Sequence, residues 1–144
     1  MKVELFVGLK VPDTTALTAL QTLHQLDFKH VTSVDRKEYY SFTVDGNVDA
    51  FKKKIITVDV LVNANKHTVD FSLDVKGGVA VLIMGRDDSC EGLLHTLTER
   101  LGLTEISSLQ KGVVWVFHGA SKKDAEAIGK KLLYNEHFQE FQIL

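Results

Sequence analysis

Apolar residues in the first stretch of the chain form a short unbroken block, so Val3–Leu9 reads as a strand, ended by Lys10-Val11-Pro12. Asp13 can cap a following helix, in which Leu17, Leu20, Leu23, His24 and Phe28 recur at helical spacing. Val31–Val34 then reads as a short strand, Arg36-Lys37 as a turn, and Tyr39–Val44 as a second strand. In that strand Tyr40, Phe42 and Val44 alternate with Ser41 and Thr43. Asp45-Gly46-Asn47 breaks the run. A helix is predicted over Val48–Val62, against the preference of the β-branched Ile55, Ile56 and Val58 and of Thr57, and Thr68–Leu73 closes the unit as a strand.

The same order then returns. Val79–Met84 reads as a strand, and Asp88 with Glu91 three residues on makes a capping-box start for a helix that runs to Leu101 and stops at Gly102. Ile106–Leu109 and Val113–Phe117 read as two strands joined by a Gln110-Lys111-Gly112 turn. Lys122–Leu133 follows as a helix and Phe138–Leu144 as the last strand.

The two halves also align by residue. Asp13 and Asp88 stand 75 positions apart, and the same offset joins Leu26 to Leu101, Val31 to Ile106 and Phe42 to Phe117; Lys37 meets Lys111 with one residue of turn removed. Towards the end the offset is 70, which places Asn65, His67, Asp70, Phe71 and Leu73 on Asn135, His137, Glu140, Phe141 and Ile143. The pattern predicts an α+β chain of two tandem ferredoxin-like βαββαβ units, residues 1–74 and 77–144, with antiparallel sheets packed together. Units of about 70 residues bury little of their own surface, so they should pack on each other or on another protein.

Composition narrows the function. A net charge of −2 over 144 residues gives no chain-wide attraction for nucleic acid or anionic lipid. The longest apolar run, Val79–Met84, is far shorter than the ~18 residues of a membrane span, and the start lacks a basic and then apolar leader. A cytoplasmic protein is expected. The single cysteine, Cys90, excludes an intrachain disulfide.

No residue pattern carries catalysis. Cys90 opens a predicted helix, where the macrodipole favours a thiolate, but His95 lies about 140° around that helix, out of reach as its base. The other histidines, His24, His30, His67, His118 and His137, show no zinc spacing; His67 and His137 recur before the last strand of each half and are expected to bond turns. The turns at 10–14 and 85–89 lack a glycine-rich phosphate cradle. Lys111–Phe117 partly resembles an RNA-recognition strand but lacks its aromatic two residues after the lysine, and reads better as a strand buried on both faces. No cofactor and no metal are expected. Arg36, Lys37 and Lys111 remain as exposed cations on matching hairpin tips, candidates for meeting an acidic partner.

Leu23–Tyr40 resembles the PurS subunit family of phosphoribosylformylglycinamidine (FGAM) synthase, with a helix ending in leucine, a small residue and phenylalanine, and then two valine-rich strands around a turn lysine. Val3–Lys10 is similar to that family's opening strand, and Lys130–Phe141 to its helix exit and final strand. The family's aspartate-proline-x-glycine before the first helix is shortened here to Val11–Thr14 and Asp87–Ser89. The turn glycine is Arg36 in one half, and Lys111-Gly112 is reversed in the other. The resemblance implies a non-catalytic subunit of a glutamine-dependent, ATP-using ligase, bridging its synthetase and glutaminase subunits in purine biosynthesis. Because members of that family dimerise, this chain would correspond to a fused dimer, with further homo-oligomers open. The same element order also suits a tandem ACT-like regulatory module binding an amino acid or nucleotide between its halves.

Overall fold

The computed structural model describes residues 1–10, 14–58, 61–62, 67–73, 78–85, 90–129 and 139–143. Their order is β1 (Lys2–Leu9), α1 (Thr14–Gln25), β2 (Ser33–Val44), α2 (Val48–Ile55), β3 (His67–Asp70), β4 (Val79–Gly85), α3 (Glu91–His95, continued by a π-helical turn Thr96–Arg100), β5 (Ile106–His118), α4 (Lys122–Ile128) and β6 (Gln139–Ile143). The protein is mixed α+β, and all six of these strands share a single antiparallel sheet in the order β3-β1-β2-β5-β4-β6. Two sheets packed together were expected; the halves instead meet strand to strand. The expected division at 74–77 lies outside the described residues, as do the expected caps Asp13 and Asp88 and the helix end at 130–133.

The expected hairpins are not formed. Arg36-Lys37 and Gln110-Lys111-Gly112 are not turns; each lies inside one long strand, and β2 and β5 pair along their whole length, from Ser33 opposite His118 to Val44 opposite Ile106. A tight hairpin needs residues that tolerate positive φ at its centre, and arginine and lysine do not supply them. Gly112 instead makes room for a neighbouring strand. A Cβ there would meet the Ile83 carbonyl oxygen at 2.6 Å, so glycine lets β4 lie close. Helix α2 stops at Ile55, where the β-branched run begins, rather than reaching Val62. At the other helix ends, Gly102 at φ +72° closes the π-helical turn, and Ser121 caps α4 in a full capping box with Asp124.

Strand pairing is offset. β1 lies only against the second part of β2, from Lys2 opposite Thr43 to Val7 opposite Glu38, and β4 only against the second part of β5, from Val79 opposite Phe117 to Met84 opposite Gly112. The first part of each long strand therefore extends beside the other half. Packing follows the same crossing. One cluster joins Leu5, Phe42 and the α2 residues Phe51 and Ile55 to Leu97 and Leu109 of the later half. The other joins Ala19, Leu23 and Val31 of the earlier half to Val81, Phe117 and the α4 residues Ala125 and Ile128.

Both clusters use the side of the sheet that carries the helices. The opposite side holds Phe6, Tyr39, Ala80, Leu82, Val114 and Val116, all buried, in a cluster without a helical residue among those described. Val113–Phe117 is thus flanked by apolar packing on both faces, as its composition suggests. No helix of the described residues is long and apolar enough to cross a membrane.

Because each helix-side cluster draws on both halves, the chain should unfold in one transition. Leu23→Ala and Leu97→Ala remove fully buried side chains from different clusters, and each should cost about 2–5 kcal/mol while lowering that one transition. Calorimetry is the check; two separable transitions, each moved by only one variant, would contradict the interlocked packing.

Candidate functional site

The alternation of β2 decides where its cations go. Lys37 points to the helix-free side with Asp35 and Tyr39, whereas Arg36 lies on the helix side with Glu38 and Tyr40. Lys111 stands opposite Tyr40 and so shares the side of Arg36. The three expected partner-binding residues are therefore not one group, and none of them sits on a hairpin tip.

On the helix side, two cross-strand pairs mirror each other. The Arg36 guanidinium lies 5.8 Å from the Trp115 ring centre, and the Lys111 ammonium lies 5.8 Å from that of Tyr40. Arg36 also reaches Glu38 at 3.3 Å. Each is a cation on an aromatic face, an arrangement worth about 0.5–1 kcal/mol when exposed. Burial, followed by the nearby Glu38 carboxylate, raises the Tyr40 hydroxyl above its ordinary pKa.

The helix-free side carries a cleft of about 470 Å³ lined by Asp35, Lys37, Asp70, Ser72, Leu73, Val116 and His118. The Lys37 stem passes Gly8 of β1, where a methyl would make ordinary van der Waals contact with its Cγ and Cε atoms at 3.5 Å. The Lys37 ammonium ends 3.6 Å from Asp70 on β3. On the other wall, His118 Nε2 lies 3.0 Å from Asp35 Oδ2. The Lys37 and His118 side chains are the less exposed groups, at 26% and 23% against 57% for Asp70 and 64% for Asp35. Beside the cleft, Tyr39 donates to Glu4 at 2.6 Å; burial first and that carboxylate second push its hydroxyl well above the ordinary tyrosine range.

Other candidates take structural positions. Cys90 precedes the short α3 at φ +53° and packs against the first cluster, while His95 is exposed. His67 opens β3 opposite Leu9, and its counterpart His137 lies outside the described residues. Among the described residues no three His, Cys, Asp or Glu side chains gather into a metal site. Neither His118–Asp35 nor His30–Asp124, the latter at 2.8 Å, was visible in the sequence, because each joins residues more than eighty positions apart. The chain matches no family model, and no curated protein matches it.

Asp124 offers a pH test. The Ser121 backbone N–H, which donates to its carboxylate at 3.0 Å, and then His30 hold its pKa below the ordinary carboxylate value. A depressed folded-state pKa stabilises the protein above the unfolded value of about 3.9, and the contribution is lost as pH falls through the folded value. Asp124→Ala should cost about 1 kcal/mol at neutral pH. The gap from wild type in urea denaturation should narrow below about pH 4. A gap that stayed constant into strong acid would contradict the assignment.

Proposed function

We propose that this chain is a non-catalytic accessory subunit of FGAM synthase, acting in the cytoplasm to bridge the synthetase and glutaminase subunits in purine biosynthesis. The observation that carries this reading is the interlock of the halves. A dimer of PurS-like chains fused into one polypeptide should make two equivalent halves joined through a shared element. The strand order β3-β1-β2-β5-β4-β6, read from either edge inwards, has the same pattern, and β2 and β5 fill equivalent central places. The resemblance along Leu23–Tyr40 supplies the family.

On this reading the halves are duplicated ferredoxin-like units that have exchanged parts. The first unit takes β3, β1 and residues 38–44 of β2 from its own half, and α3 with the first part of β5 from the other. The second unit takes the reciprocal set. The hairpin expected within each unit is then opened out, and its strands are completed by the partner half. Support comes from the mixed make-up of both helix-side clusters and from the offset pairing of β1 and β4.

Size-exclusion of this protein with purified synthetase and glutaminase subunits, glutamine and nucleotide should give one co-eluting complex, and the protein alone should hydrolyse neither glutamine nor ATP. Lys111→Glu places the opposite charge at an exposed site on the helix side, and Lys37→Glu places it at a partly buried site on the other. A charge at the rim of an interface acts mainly on the rate of encounter, so the variant on the side that meets the partners should slow assembly. Failure of the wild type to co-elute under any nucleotide condition would end the subunit reading.

A further inference from the structure

We propose that the cleft on the helix-free side binds a small zwitterion of the α-amino acid class, with its carboxylate on Lys37 and Ser72 and its ammonium group on Asp35. A cleft of about 470 Å³ lies within the ~300–1,000 Å³ range of small-molecule sites. Exposure separates the groups: the Lys37 ammonium side chain and the His118 ring are partly buried, and the two carboxylates are mostly exposed. That separation suits a ligand that carries its negative end towards Lys37 and its positive end towards a carboxylate. A simple anion would have to sit beside two carboxylates. A simple cation would meet Lys37. A ligand with both charges satisfies both sets of groups.

Asp35 is bonded to His118 through one carboxylate oxygen, Oδ2 at 3.0 Å, and the second pair is looser. Lys37 and Asp70 are 3.6 Å apart, longer than the ~2.7–2.9 Å of a charge-assisted hydrogen bond. Exposed pairs of this kind add little to stability, so their exchange for ligand contacts costs little. The Ser72 hydroxyl in the same lining adds a donor for a carboxylate, and Leu73 and Val116 give an apolar wall for a side chain. Asp35 stands directly opposite Val116 across the β2–β5 ladder, so the two walls come from different halves and the site exists only where the halves are joined. The inference does not depend on the subunit reading, because it concerns the chain by itself.

The test is a thermal-shift and amide-NMR titration of the full chain with each free protein α-amino acid. N-acetylated forms, the corresponding decarboxylated amines and inorganic phosphate serve as the other probes. At least one free amino acid should raise Tm and move the amide signals of Asp35, Lys37, Ser72, Val116 and His118. Removing either ligand charge should weaken binding at least about tenfold, as should Lys37→Met with an unchanged circular dichroism spectrum. Asp35→Asn, at an exposed position, keeps the test valid if the lysine variant disturbs the fold. The proposal is overturned if no free amino acid shifts these signals, if a blocked form or phosphate binds equally well, or if the variants retain full affinity.

Discussion

Everything else in the molecule depends on the antiparallel ladder between β2 and β5. Among the described residues it is the one place where the two halves pair strand to strand, and it runs without interruption to a single irregularity at Thr43/Val44. Neither long strand is matched along its length by its own half, since β1 covers only the second part of β2 and β4 only the second part of β5. Without the ladder, half of each strand would present unpaired backbone groups, which are costly wherever water is excluded. The ladder therefore determines not only that the halves associate but where each helix must lie. A helix joined to the first part of a long strand is carried over onto the other half's sheet.

That displacement explains why the cores are composite. Leu23 and Val31 flank the entry to β2 and so reach Val81, Phe117 and Ile128, and Leu97 and Leu103 flank the entry to β5 and reach Leu5, Phe42 and Phe51. A unit of roughly 70 residues buries too little surface to be secure alone. Interlocking supplies each core with apolar residues from the other half and makes separation of the halves equivalent to unfolding.

The sequence made the elements legible but not their connection. Val3–Leu9, Val79–Met84 and the helix starts at Val48 and Lys122 follow from the local pattern, and the offset of 75 positions between Phe42 and Phe117 matches their places on one face. The error at Arg36-Lys37 and Lys111-Gly112 has one physical source. A break in apolar patterning reads as a turn, yet polar residues alternating in mid-strand give the same local pattern when two cations stack on aromatic rings across the ladder. Whether a strand turns back on itself or runs on to a neighbour is decided by tertiary competition, which leaves no mark in a short window. The absence of a hairpin-forming Asn-Gly or Asp-Gly pair at Arg36-Lys37 was the one available sign.

The same limit hid the cleft. Lys37 was conspicuous as a cation, but its surroundings come from β1, β3 and β5, none of them near it in sequence. Its neighbour Arg36 differs by one position and by an entire face of the sheet. For a residue in a strand, the functional question is therefore settled first by parity and only then by chemistry. A lysine at position 36 would stack on Trp115 among the helices, whereas at position 37 it reaches across Gly8 to a carboxylate on the open side. Chemistry on this protein is accordingly divided between two surfaces. The cation–aromatic pairs on the helix side bind the ladder together across the seam, and the opposed charges on the other side leave a concave space between the halves.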